Sequence, residues 1–114
     1  MNKQIYAIKH NVTGRIYVGF SQCPESRMKT HIAALRRHGH SSYKMQCDFD
    51  EYGEDYSFYG LEVVPDESIQ ARDSLYYLPS LREIAWMDRL NTLEDGYNHQ
   101  DKKARSIIRK VRQS

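Results

Sequence analysis

The sequence predicts a small α/β (α+β) domain, with strands at its start and middle and amphipathic helices between and after them. Three observations carry this. Residues 4–9 and 15–20 read as strands joined by Asn11-Val12-Thr13-Gly14, a turn with the Asn and Gly that hairpins favour. Ser57 to Val64 reads as a third strand, closed by Pro65. Elsewhere, apolar residues recur at the three- and four-residue steps of a helix with one buried face.

The opening hairpin carries two oddities. Tyr6 and Tyr17 both sit mid-strand, and Gly19 stands where Val or Thr would suit a strand better. A glycine inside a strand marks close approach of another group. Pro24 then fits the first position of a helix and Glu25 its positive end, with Met28, Ile32 and Leu35 as the buried stripe up to Gly39. Arg27 and His31 are four apart and share a face beside that stripe. A second helix starts at Ser41-Ser42, buries Met45, Phe49 and Tyr52, and stops at Gly53. After the third strand, Ser68 to Arg72 suits a short helix, but Pro79 breaks any pattern running through Tyr76 to Leu78. The next helix spans about Ser80 to Leu90, with Ile84, Met87 and Leu90 inward and Glu83 beside them. Gly96-Tyr97-Asn98 turns the chain, and a basic helix from Asp101 to about Arg112 presents Ile107, Ile108 and Val111.

At 114 residues the chain suits one domain that needs no staples. No stretch approaches the ~20 apolar residues of a membrane span, and Met1 to Gln4 leads straight into a strand rather than a signal peptide. Cys23 and Cys47 form no C-x-x-C pair, which points to a reducing, cytoplasmic compartment. The net charge of +2 hides a strong segregation. Residues 1–44 carry eight Lys/Arg against one acid, residues 45–101 three against fourteen, and residues 102–114 six against none. A basic first third and a basic tail suit a polyanion, though solvated surface would also account for them.

Tyr6, Tyr17, Arg27, His31, His40, Glu83 and Asn98 are polar residues at or beside apolar stripes. Singly, each has a plain structural explanation: a packed tyrosine, a snorkelling arginine, a structural histidine, or a surface glutamate bridging Arg82 or Arg89. Together they suit phosphodiester hydrolysis, which needs a cation on the phosphate, an acceptor for the proton of water and positive charge at the transition state. Glu83 could hold a hard cation such as Mg²⁺, Arg27 could clamp the phosphate, and the histidines and phenols could move protons.

Ile5-Tyr6 followed by Ile16-Tyr17-Val18-Gly19 resembles the paired motifs of the GIY-YIG nuclease family. Arg27 follows at the family's distance, and the likeness continues through His31, His40 to Gln46, Phe49, Tyr52-Gly53, Leu61-Glu62, Glu83, Trp86-Met87 and Gly96-Tyr97-Asn98. His40-Ser41-Ser42 and the final tripeptide look like the phage and group I intron homing branch. The resemblance implies a three-stranded antiparallel sheet flanked by helices, and DNA cleavage with one Mg²⁺ or Mn²⁺ ion per active site. It implies Glu83 as metal ligand, Arg27 as the essential arginine, and Tyr6 and Tyr17 as the motif tyrosines. It also implies His31 as a further catalytic group and Gly19, His40, Lys44 and Asn98 as residues toward the substrate. The general base stays open among Tyr17, Tyr6 and His31. Gln4 stands where the family usually has Gly, and Pro65 to Ser80 runs longer than is typical.

The expected organisation is a catalytic domain over residues 1–99 and a basic helical tail, or the start of a linker, over 100–114. The chain would be a trimmed nuclease domain or a short free-standing enzyme. Its expected partner is double-stranded DNA, with no membrane, no small-molecule cofactor, a monomeric or weakly dimeric state, and an intracellular, phage-like setting. The competing expectation is a DNA-binding or junction-recognising module without turnover. A structural zinc site among Cys23, His31, His38 or His40, and Cys47 has no zinc-finger spacing behind it.

Overall fold

In the computed structural model, which describes residues 3–65, 78–98 and 105–109, the hairpin forms β1 (Lys3–His10) and β2 (Ile16–Ser21). It is followed by α1 (Pro24–Arg36), α2 (Tyr43–Tyr52), β3 (Tyr56–Val64) and α3 (Leu78–Arg89). The strands make one antiparallel sheet in the order β2-β1-β3. The central position of β1 explains its composition. Ile5, Tyr6, Ala7 and Ile8 are all buried, because a middle strand covered on both faces has no polar side to show.

Helices cover the two faces unequally. On one face Ile5, Val18 and Val64 pack with Met87 and Leu93, and with the half-buried Ile84, Trp86 and Leu90, so α3 lies there. On the other, Tyr6 and Ile8 pack with Leu35 of α1 and Met45 of α2, joined by Tyr97. Tyr6 and Tyr17 face α1 and α2, while the carboxylate Glu83 arises from the helix on the opposite face.

Local chemistry sets the helix ends. Pro24 opens α1, where its missing N–H costs no hydrogen bond. The Ser42 side chain caps α2 by accepting from the Met45 N–H, and Gly53 ends it. Helix α3 begins at Leu78 rather than Ser80, since Pro79 falls in its first turn, where proline is tolerated. Tyr52, expected in the core, is 48% exposed. The short helix predicted from Ser68 lies outside the described residues, as does most of the predicted basic helix; of the latter, residues 105–109 are helical. Ile108 from that turn packs on the core, and Arg105 pairs with Glu94 at 2.6 Å.

Two devices tie the hairpin to the rest of the chain. The segment after α3 caps the edge of β2: the Tyr97 N–H donates to Ile16 O at 2.9 Å, and the Asn98 amide pairs with both the N–H and the C=O of Val18 at 2.8 Å. Gly96 permits this approach, because a Cβ there would lie 2.5 Å from Ile16 O. The second device is Asp48, buried on α2. Arg15 donates to both of its oxygens at 2.8 and 3.0 Å, and the Tyr97 hydroxyl donates at 2.5 Å.

Burial acts to raise the Asp48 carboxyl, but the hydrogen bonds from Tyr97 and Arg15 outweigh it and hold the group below the usual carboxylate range. A depressed folded pKa gives stability that is present above the unfolded value and lost as pH falls through the folded one. Asp48→Asn should therefore lower unfolding free energy by about 2 kcal/mol at pH 7, with Arg15 partly exposed and screened. That gap should close toward pH 3, as read by urea titration at both pH values.

Candidate active site

The site is built on the pairing of Tyr6 with Gly19 across β1 and β2. Tyr6 leans over Gly19 so closely that a Cβ there would lie 2.6 Å from both its Cζ and its Oη, and 3.0 Å from the Tyr17 ring. The group that the strand glycine admits is thus the phenol of its own cross-strand partner. Tyr17, two residues before Gly19 on the same strand face, places its ring centroid 6.3 Å from that of Tyr6. Phe58 of β3 stacks on the far side of Tyr6 at 5.5 Å.

Helix α1 presents its two expected residues from one face, at different depths. His31 is buried, with its Nε2 3.2 Å from Tyr6 Oη and its ring 4.7 Å from that of Tyr17. Arg27, one turn earlier and exposed, lies beside Tyr6. His40, in the connection between α1 and α2, sets its Nε2 2.7 Å from His31 Nδ1. Both ring nitrogens of His31 are therefore occupied.

The electrostatics separate the phenols. Burial raises both, and it pushes Tyr17 up to about 12, where the charges of Tyr6 and Glu83 act in the same direction. For Tyr6, the Arg27 guanidinium and the Tyr17 hydroxyl favour the ionised form against that burial. Burial also drives His31 down to about 4, with His40 and Arg27 adding to the effect, so it is neutral at physiological pH. Glu83 is close enough for its charge to act on both phenols, and burial pushes its own carboxyl up to about 7. It makes no hydrogen bond or ion pair with another described residue.

Not every residue expected to meet substrate is free to do so. Both ends of the Asn98 amide are spent on the Val18 backbone, so here Asn98 is a splint for β2. Lys44 donates from an exposed position to Glu94 O at 3.2 Å. Gly19 and His40 act by making room for Tyr6 and by contacting His31. Glu62 of β3, a carboxylate that faces α3, is held below its usual range by Arg82 and also accepts from the Trp86 indole at 2.9 Å. Glu83 differs from it in being desolvated with no bonded partner among the described residues.

Sequence reasoning gave no role to three buried polar residues that hold this arrangement: His10, Asp48 and Gln46, the last of them noted only within a motif. For the first two the only early signal was placement, since Asp48 lies three residues after Met45 and one before Phe49.

Comparison with known proteins places this geometry. The GIY-YIG catalytic domain matches residues 2–98. Intron-associated endonuclease 1 of Enterobacteria phage T4 is 34% identical over 101 residues, covering 89% of this chain and 38% of that protein. The chain thus spans under two-fifths of that relative's length. Among solved structures, the catalytic domain of homing endonuclease I-TevI superposes with a TM-score of 0.74 at 32% identity, over 87% of this chain and 99% of that one. A point mutant of the same domain gives 0.74 at 33%, over 89% and 96%.

The Tyr6–Gly19 contact makes a sharp test. Gly19→Ala must displace a phenol that is only 1% exposed. It should lower any nuclease turnover by about 100-fold, the scale of a misplacement near 1 Å. The stability loss should be only about 1–3 kcal/mol. Plasmid-nicking rates set beside thermal melts would separate the two effects.

Proposed function

We propose, from the premise that this chain belongs to the GIY-YIG catalytic-domain family, that it is a divalent-metal-dependent endonuclease domain of the homing type, hydrolysing phosphodiester bonds in double-stranded DNA. One observation carries this: Tyr6, Tyr17, Arg27 and His31 converge on one face while Glu83, unpaired among the described residues, acts on the same phenols. A structural cluster would pair its acid with its arginine. Here they stand apart around the two hydroxyls.

The donor set suits a hard cation. Among the described residues no group of three or more His, Cys, Asp or Glu could hold a metal. A single carboxylate is what Mg²⁺ or Mn²⁺ commonly takes from protein, the other positions going to water and phosphate oxygens. When bound at Glu83, the ion supplies charge to polarise the phosphate and acidify water. The other roles fall to the chain itself. Arg27, exposed beside Tyr6, reaches a phosphate oxygen and offsets the charge that grows there during attack. Tyr6 orients the attacking water rather than taking its proton, because burial keeps the phenol protonated against the opposing pull of Arg27 and Tyr17. His31 cannot take that proton directly, having both nitrogens engaged.

The basic tail after residue 99 belongs to the same proposal as a weak, salt-sensitive grip on DNA. So do action as a monomer or weak dimer and a cytoplasmic, phage-type setting. Among the described residues no helix is long and apolar enough to cross a membrane. The second reading, a DNA-binding module without turnover, leaves the desolvated Glu83 without a purpose.

Supercoiled plasmid incubated with Mg²⁺ or Mn²⁺ should be cut. Arg27→Ala should slow cutting by about 10²–10³-fold, and Glu83→Gln by at least as much. Cutting that persists in both variants would remove the mechanism, and binding without cutting under any metal would favour the second reading.

Glu83 also has a signature that needs no DNA. Its folded pKa of about 7 lies above the 4.5 of an ordinary glutamate, so the metal-free folded state retains a proton that the unfolded chain releases. Stability falls as pH rises between those values, and the full cost is present above the upper one. With chelator present, Glu83→Gln should be more stable than the parent by about 2 kcal/mol at pH 8, and indistinguishable from it near pH 4. Urea titration at the two pH values reads the difference.

A further inference from the structure

Gln46, buried on α2, has no part in the chemistry above, yet every hydrogen-bonding end of its amide is used. Its Oε1 accepts from the His40 backbone N–H at 3.0 Å. Its Nε2 donates to Leu35 O at 3.1 Å and to Asp50 Oδ1 at 2.9 Å. The His40 N–H can only donate and the Leu35 carbonyl can only accept, so the amide has one possible orientation. It pins the connection after α1 to the end of that helix. Ser42 pins the far side of the same connection, donating from Oγ to Tyr97 O at 2.7 Å.

That pinned connection sets a direction on the histidines. The Ser42 backbone N–H donates to His40 Nδ1 at 2.9 Å, so this nitrogen is bare and the ring proton sits on Nε2. His40 Nε2 then donates across 2.7 Å to His31 Nδ1, which must be bare in turn. The His31 proton is left on Nε2, facing Tyr6 Oη at 3.2 Å. A proton added to His40 Nδ1 or His31 Nδ1 would set two hydrogens against each other in one contact. The chain of bonds therefore runs one way, from a main-chain amide to a phenol oxygen.

We infer that Gln46 is a positioning residue for the nuclease reaction. It holds the His40–Ser42 connection so that the Ser42 N–H fixes the tautomers of both histidines and delivers an imidazole N–H to Tyr6 Oη. The kinetic half of this inference rests on the nuclease function proposed above; the tautomers do not. An N–H arriving at Tyr6 from the protein side occupies one lone pair and favours the ionised phenol, adding to the effect of Arg27 and Tyr17 on the same oxygen. His40 and Gln46 thus act on the chemistry without touching DNA.

The test uses the full chain with ¹⁵N-labelled histidine, free of metal and DNA, near neutral pH. Nitrogen NMR should show Nδ1 bare and Nε2 protonated on both His31 and His40. Gln46→Leu should give mixed, exchanging tautomers at these rings, and should lower kcat for plasmid nicking about tenfold, the worth of one hydrogen bond, with little change in KM. Asp50→Ala removes one of the two acceptors of the Gln46 Nε2 but keeps the contacts with the His40 N–H and Leu35 O, and should match the parent in tautomers and in kcat. A protonated Nδ1 on either ring of the parent protein overturns the inference. So does Gln46→Leu with parental tautomers and rate, or Asp50→Ala with an equal loss of rate. The parent spectrum decides by itself if Gln46→Leu does not fold. A chain with the expected tautomers that never cuts DNA would defeat the nuclease function and not the relay.

Discussion

The Tyr6–Gly19 pair is the constraint on which the rest of the site depends. A strand position gives up its side chain, and the phenol opposite takes the vacated space. This fixes the hydroxyl of Tyr6 with almost no freedom, since Phe58 stacks on one flank and Tyr17 lies near on the other. Because side chains alternate along a strand, a one-residue slip in the β1–β2 pairing would put Tyr6 and Tyr17 on opposite faces of the sheet. Register and chemistry are therefore one requirement. The Arg15–Asp48–Tyr97 network and the Asn98 splint both act on β2 or the turn before it, where they resist such a slip.

Polar groups in this domain serve two ends, and their partners tell them apart. Asp48, Glu62 and His10 are saturated: each makes two or more hydrogen bonds to fixed partners, and each joins segments far apart in the chain. Glu83 and Arg27 have no ion-paired partner among the described residues, and for the desolvated Glu83 that costs stability. The histidines stand between these classes. They are fully bonded, and the last member of their chain is a buried phenol beside the exposed Arg27.

The hairpin, the first two helices, the third strand and α3 were legible because their signals are local: an Asn/Gly turn, a proline at a helix start, a serine cap and a helical apolar stripe. Tyr6, Tyr17, Arg27, His31 and Glu83 were legible as a set through their spacing, and the structure gathers them. The work of Asp48, Gln46 and His10 was not legible, because a polar side chain reads as surface until its partner is known. The partners of Asp48 lie 33 and 49 residues away. The same blindness made Tyr52 look buried, when the inward positions of α2 had gone to a glutamine and an aspartate. Asn98 was found by motif, but the motif did not tell a residue that touches substrate from one that holds a strand. Only the two bonds to Val18 make that distinction.

The β2 edge has a consequence for timing. Chains are made from the amino end, and the hairpin, Arg27 and both histidines are all present once the first forty residues exist. Glu83 follows much later, and the tripeptide that caps β2 comes later still. A growing chain thus passes through a long stage in which every group except the carboxylate is in hand and the edge beside Tyr17 stands open. The order of residues delays the gathering of these groups until nearly all of the described elements have been synthesised.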